Sequence, residues 1–390
     1  MDSSAKGCIE SARHQSPAGQ CRGDIAISVL VPIYNVEQYL DKCLSSLHGQ
    51  TFPSFEAICI NDGSTDESRS ILQRYLDIDE RFRVIDKPNS GYGASLNAGL
   101  HAARGEYIGF LESDDFFEPD ALERLYRAAS DSPDVVKANF WLYWSSPEER
   151  FEPFCVVDDT QAGRIMAPLD DIAIFFRKPS IWSALYRRKF LKENGIDFLE
   201  TPGASYQDAG FNFKVWATAK KVAYLEDRVL FYRQDNEKSS VKSPSKVFCV
   251  CDEYDSMESF VRERGESSSS ALLPILERMK FDSYLWNYDR LDDELRLEFV
   301  SRVSAELADD LSQGWVDLSL FEPGAEAGFL ALSSNPDRFV KARSFLSDSR
   351  GLSSVRYYLA LGGVSLVAKV ILFKLFGHSA RHTDERGACA

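Results

Sequence analysis

Carboxylates cluster where this sequence leaves its apolar runs. Glu112, Asp114 and Asp115 follow Tyr107–Leu111, and Asp62 follows Phe55–Ile60 in the turn Asn61-Asp62-Gly63. Neighbouring carboxylates repel unless a cation joins them, so this ESDD turn suits a hard divalent ion with oxygen ligands that bridges to a diphosphate. A carboxylate at Asp62 can accept from a nucleobase N–H or a ribose hydroxyl. Tyr34, in the turn Pro32-Ile33-Tyr34-Asn35, can stack on the base. Each turn alone has a plainer reading: N-D-G is a common turn former, and acidic residues ahead of Pro119 favour a helix N-terminus electrostatically. The three turns in order are far more specific than any one.

Positioning such residues requires a sheet. From Ile25 onward short β-rich runs alternate with helical stretches, the pattern of an α/β fold with a mostly parallel sheet and helices on both faces. Strands are expected at Ile27–Val31, Phe55–Ile60, Val84–Ile85, Tyr107–Leu111 and Val135–Tyr143. Helices are expected through Val36–Leu47, after a Ser64/Glu67 capping box through Tyr75, over Gly91–Ala103, and from Pro119 to about Ala129. Ligands of open parallel sheets lie outside the carboxyl ends of the strands, where the three turns fall. Residues 145 to 180 carry little periodic signal. Order resumes over Trp182–Asn194, in a helix after Asp208 and in short strands near Val222–Leu225 and Val229–Tyr232.

The expected organisation is a disordered segment 1–24, an α/β domain 25–240, a helical region 241–340 and a basic, apolar tail 341–390. Helices in the third part fall near 244–264, 271–290 and 292–312, with Ser267–Ser270 as a connector. In the tail, Tyr357–Ala368 is uncharged but shorter than the ~20 apolar residues a spanning helix needs. Eight Lys and Arg against three Asp and Glu between Lys341 and Arg386 suit attachment to an anionic membrane surface. Packing on the protein itself or on a second subunit is the equally weighted alternative.

Composition excludes other classes. In 390 residues, 45 Lys and Arg against 60 Asp and Glu give a net charge of −15, which argues against gripping nucleic-acid phosphates. A dinucleotide-binding oxidoreductase would carry G-x-G-x-x-G after its first strand, where this chain has PIYN. The eight cysteines are scattered and the first 24 residues are polar, which reads as reduced thiols in a cytoplasmic protein.

The strings VPIYNVEQYL from Val31, QTFPSFEAICINDGSTDES from Gln50, NSGYGASLNAGL from Asn89, ARGEYIGFLESDD from Ala103 and SALYRRKFL from Ser183 resemble the family 2 glycosyltransferases. These are GT-A-fold enzymes that build bacterial surface polysaccharides, and the resemblance covers about residues 25–240. It implies that Pro32, Tyr34 and Asp62 hold the nucleoside of a UDP-sugar. Asn35, Glu37, Gly93, Asn97, Glu112 and Asp114 then complete the nucleotide-sugar site, and Asp114 with Asp115 holds Mg2+ or Mn2+. Asp208 is implied as the base that deprotonates an acceptor hydroxyl in an inverting transfer, with Trp182 and Tyr206 as the acceptor platform. The implied acceptor is a lipid-linked or growing glycan, and the implied location is cytoplasmic, peripheral on the inner face of the membrane. The rival readings are transfer to a polyprenyl phosphate and a non-catalytic glycan-binding protein. Gln207 stands where the family commonly has Glu, Glu112 where it has Asp, and the segment Ser95-Leu96-Asn97 lacks a frequent Arg.

Overall fold

The computed structural model describes residues 25–203, 205–236, 247–347 and 352–376. The expected disordered segment 1–24 and the tail beyond Phe376 lie outside these residues. Strands β1 (Ile27–Ile33) and β2 (Phe55–Asn61) are buried at every position, as strands covered by helices on both faces must be. Helices α1 (Glu37–His48) and α2 (Ser68–Ile78) separate them from β3 (Phe82–Asp86). Next come α3 (Tyr92–Ala102), β4 (Tyr107–Phe110), β5 (Phe116–Phe117), α4 (Ala121–Arg127) and β6 (Val135–Trp144).

The sheet continues through β7 (Arg150–Phe154), β8 (Ile165–Met166), β9 (Ala184–Arg187), α5 (Arg188–Glu193), α6 (Gln207–Thr218) and β10 (Val222–Arg233). Its order is β3-β2-β1-β4-β9-β6-β10-β5, with β7 on β6 and β8 on β10. The pairs β1–β2, β1–β4, β2–β3 and β6–β10 are parallel, while β9 runs against both β4 and β6. The mixed, mostly parallel sheet expected from the alternation is therefore present. Its amino end is tied by Glu56, which accepts from Ser28 Oγ at 2.7 Å, Arg83 at 2.6 Å and Arg104 at 2.7 Å.

A helical region follows: α7 (Cys249–Arg262), α8 (Glu266–Arg290), α9 (Asp293–Ser312), α10 (Pro323–Ser334), α11 (Pro336–Arg343) and α12 (Ser353–Phe376). Ser267–Ser270 are not a connector but the first turns of α8. The break falls at Gly265, whose φ of 91° only glycine adopts readily. Ser269 and Ser270 back-bond to the Gly265 and Glu266 carbonyls. The Ser64/Glu67 capping box does not form either. α2 begins at Ser68, whose N–H is taken by Asp66, and Ser64 Oγ accepts from Asn35 N instead.

The stretch 145–180 is ordered by polar pins rather than by periodic packing. Asn139 Oδ1 accepts from Val156 N and Val157 N, and Arg177 binds Gln161 and Asp158. Cys43, Cys59, Cys249 and Cys251 are free thiols, but Cys155 is disulfide-bonded, contrary to the all-reduced expectation.

α12 departs most from its expected form. It runs 24 residues, so it is long and apolar enough to cross a membrane by length and composition. The uncharged 12-residue run ends before Lys369, whereas the helix continues through Lys374 with apolar residues around both. Gly363, at φ 68°, breaks it into two parts. Arg338 donates to the Ala360 and Leu361 carbonyls just before that break.

Candidate active site

A cavity of about 1160 Å³ opens at the carboxyl ends of β1, β2, β4 and β10, and α8 closes its far side. Pro32 and Tyr34 enter from the end of β1, Asp62 from β2, and Glu112 and Asp114 from β4. Asp62 is fixed on every side: Oδ1 accepts from the Lys87 ammonium and from Ser90 N at 2.9 Å, and Oδ2 accepts from Gly91 N at 3.0 Å. It thereby holds the loop that starts α3. Tyr34 is 49% exposed, so its ring is open to a planar ligand.

Of the three acidic residues after β4, two face the cavity. Glu112 accepts from the Tyr92 hydroxyl, and burial together with Asp114 and Asp208 pushes its pKa up to about 8 against that bond. Asp114 Oδ2 accepts from Asn236 Nδ2 at 2.8 Å. Asp115 points into the protein, 1% exposed, where its Oδ1 accepts from Arg233 N at 2.7 Å. Burial and the Asp114 charge raise its pKa well above the carboxylate range. The adjacent pair Asp114–Asp115 is therefore not what the cavity presents; Glu112 and Asp114, two residues apart, are. The donor set fits a hard divalent cation, since both are carboxylates on one wall, and Glu112 is driven towards its neutral form first by burial and then by the Asp114 and Asp208 charges, all of which a cation would offset.

Asp208 lies in the first turn of α6 and lines the same cavity. The turn before it is tight, with Tyr206 left-handed at φ 36°. Gln207 pins the approaching loop by donating to Thr201 Oγ1 at 2.8 Å, a structural use for the position where a Glu was expected. Burial pushes the Asp208 pKa up to about 6, and the Lys178 ammonium opposes that rise. Lys178 sits over the Tyr232 ring at 4.5 Å, its own pKa lowered by burial and held up by Asp208 and Asp115. A carboxylate with a pKa near 6 is mostly ionised at pH 7 yet basic enough to take a proton.

Four expected nucleotide-sugar contacts are not brought to the cavity wall. Asn35 Oδ1 accepts from Thr65 N at 2.8 Å and Glu37 Oε2 from Glu67 N at 2.8 Å, joining the start of α1 to the start of α2. Gly93 and Asn97 seat α3 against residues 198–200. A Cβ at Gly93 would lie 2.2 Å from Leu199 O, and Asn97 bonds both Phe198 N and Phe198 O. Trp182 stacks on Tyr232 at 4.7 Å and is 5% exposed, a core ring with an edge on the cavity rather than an open platform. Tyr206 does line the cavity; its hydroxyl donates to Asn287 Oδ1 at 3.0 Å.

Lys178, Trp286 and Arg290 also line the cavity, beyond the residues expected from sequence. Lys178 sits in the non-periodic stretch, and the other two look like ordinary positions of an amphipathic helix. Nothing local in the sequence marks them.

The family model for glycosyl transferase family 2 matches residues 28–203. Glycosyltransferase GlyG of Streptococcus pneumoniae is 30% identical over 224 residues, covering 53% of this chain and 70% of GlyG. The putative glycosyltransferase EpsH of Bacillus subtilis is 35% identical over 212 residues, covering 53% of this chain and 60% of EpsH. Glycosyltransferase GlyA of Streptococcus pneumoniae is 32% identical over 222 residues, of which the match spans only 31% of GlyA. The chain thus spans less than two thirds of EpsH and of GlyA. A crystal structure of Staphylococcus aureus TarS residues 1–349 with UDP-GlcNAc superposes with a TM-score of 0.66 at 18% identity, covering 83% of this chain and 93% of that one. That likeness is one of fold, the GT-A arrangement with a helical region after the sheet. With the sequence match running from β1 to the loop before Asp208, the chain belongs to glycosyl transferase family 2.

Proposed function

We propose that the protein is an inverting glycosyltransferase that moves a sugar from a UDP-sugar to a hydroxyl of a lipid-linked or growing glycan in cell-surface polysaccharide synthesis. The observation that carries this is the convergence of Asp62, Glu112, Asp114 and Asp208 on one cavity. Support for the donor comes from TarS, whose crystal structures hold UDP or UDP-GlcNAc. Support for the setting comes from a relative named poly(ribitol-phosphate) beta-glucosyltransferase, 32% identical over 222 residues.

In this reading Tyr34 stacks on the base, and the loop that Asp62 orders lies beside the nucleoside. Bound by Glu112 and Asp114, Mg2+ or Mn2+ would neutralise charge on the departing diphosphate. Asp208 takes the proton from the acceptor hydroxyl as that oxygen attacks the anomeric carbon from the face opposite the leaving group, with no covalent enzyme intermediate. General-base assistance of this kind is worth ~10²–10⁴-fold. A base poised near pH 6 suits a neutral hydroxyl; an anionic phosphate acceptor has no proton to give up.

The cytoplasmic side of the membrane is the proposed location. The second part of α12 exposes Val364, Ile371, Leu372, Leu375 and Phe376 beside Lys369 and Lys374, the composition of a segment seated among anionic headgroups.

The test is calorimetry with a panel of nucleotide sugars, with Mg2+, Mn2+ or chelator, followed by transfer assays on wild type and Asp208→Asn. Metal-dependent binding of a UDP-sugar and loss of most turnover in the variant are expected. Chelator-independent donor affinity would reject the metal site, and wild-type turnover in Asp208→Asn would reject the base.

A further inference from the structure

We propose that Trp286 and Arg290, on the last turn of α8, form an acceptor subsite for an anionic group, phosphate or carboxylate, carried by the glycan. This rests on the donor and base assignment above and adds the chemical class of the acceptor.

Both residues line the cavity that holds Asp208. The Arg290 guanidinium lies 3.8 Å from the centre of the Trp286 ring, and that ring is 47% exposed. Stacking fixes a guanidinium flat while leaving its in-plane N–H donors free for an oxyanion. Among the described residues Arg290 has no ion pair and no side-chain hydrogen bond, although Asp289 precedes it in the chain and Asp282 and Asp292 line the same cavity. Each of those is engaged elsewhere: Asp289 with Arg343 at 3.0 Å, Asp282 with Arg278, and Asp292 with Leu295 N at 3.0 Å as the cap of α9. The result is a cation with no committed carboxylate on the α8 wall of the cavity, across from the wall that carries Glu112, Asp114 and Asp208.

Its connection to the base is direct. The edge of Tyr206 meets Trp286 with ring centres 5.6 Å apart, and Tyr206 is two residues before Asp208. An acceptor anchored by its charge at Arg290 and by a sugar face at the Tyr206–Trp286 pair would therefore present a neighbouring hydroxyl towards Asp208. α8 lies beyond the residues matched by the family model, so this wall is supplied by the helical region.

The test uses the full chain, with and without saturating UDP and Mg2+, and three probes: glucose, glucose 6-phosphate and glucuronate. Binding is measured by saturation-transfer NMR for wild type, Arg290→Gln and Arg290→Lys. Arg290 is exposed, so both variants should fold, and circular dichroism checks that they do. Wild type should bind one or both charged sugars about tenfold more tightly than glucose, the effect of about 1.4 kcal/mol from a charge-assisted contact. Arg290→Gln should abolish that preference and Arg290→Lys should keep part of it. A preference for glucose 6-phosphate alone assigns a phosphate-bearing acceptor, and one for glucuronate alone assigns a uronate. Equal binding of all three probes by wild type, or a charge preference that survives in Arg290→Gln, overturns the subsite. A charge preference that depends on Arg290 in a protein that binds no UDP would keep the subsite and reject the donor reading.

Discussion

The Tyr206 hydroxyl donates to Asn287 Oδ1 at 3.0 Å, so the left-handed residue that sets the start of α6 is held by a helix 81 residues further along the chain. Asn287 is itself fixed by donating to Val247 O at 3.0 Å. Tyr206→Phe removes only this link. We expect kcat to fall about tenfold with UDP affinity unchanged, and stability to drop by about 1 kcal/mol, the usual worth of one hydrogen bond. Unchanged kcat in a folded variant would show that α8 does not position Asp208.

The pH profile follows from the surroundings of Asp208. The base must be ionised, its pKa is pushed up to about 6 by burial, and Lys178 opposes that rise. Turnover should therefore fall as pH drops through about 6. Lys178→Met removes the opposing charge, so the pKa rises and the acidic limb moves to higher pH. A limb that stays in place in Lys178→Met would remove Lys178 from this role.

The acidic turn should divide by direction. Asp114→Ala is expected to weaken metal-dependent UDP-sugar binding at least tenfold, because its carboxylate faces the cavity. Asp115→Asn should bind donor normally, since the amide mimics the neutral acid that burial favours and keeps an oxygen for Arg233 N. Asp115→Ala should lose about 1–3 kcal/mol of stability by leaving that buried N–H without its acceptor. Calorimetry and denaturant melts on the three variants decide this; lost donor affinity in Asp115→Asn would return Asp115 to the metal site.

At the opposite end of the sheet, Glu56 should govern acid stability. Its pKa is lowered from 4.5 to about 2: burial works against ionisation, and bonds from Arg104, Ser28 and Arg83 overcome it. A depressed carboxylate contributes stability above its unfolded pKa and loses it as pH falls through the folded one, so this contribution should fade between pH 4.5 and about 2. Glu56→Gln should cost about 1–3 kcal/mol at pH 7 and flatten that part of the stability curve. Parallel curves for wild type and variant would refute the assignment.

Truncation after Gly362 tests the tail. The first part of α12, including Ala360 and Leu361 held by Arg338, stays in place, while the deleted part carries the buried Leu366 and Val370 together with the exposed apolar face. Wild type should float with anionic vesicles in a salt-sensitive way, and the truncated protein should not, while keeping its UDP affinity. Aggregation of the truncated protein would mean that this segment covers protein rather than lipid.

What the sequence determined by itself was the sheet and the order of its functional turns. Strands covered on both faces need unbroken apolar runs, and the first polar residues after them can only emerge at the carboxyl edge; PIYN, NDG and ESDD are read from that rule. The same local logic failed where direction and distance mattered. Which of Glu112, Asp114 and Asp115 faces the cavity depends on Arg233 N, 118 residues away, because a buried carboxylate turns towards whichever donor the fold supplies. Ser267–Ser270 read as a connector by composition, yet tertiary packing of α8 outweighs the weak helix preference of serine. Lys178, Trp286 and Arg290 carry no local mark at all. They share a cavity with Asp208 only because α8 and the polar-pinned stretch before β9 close over the strand ends, an arrangement set by long-range contacts that no window of neighbouring residues contains.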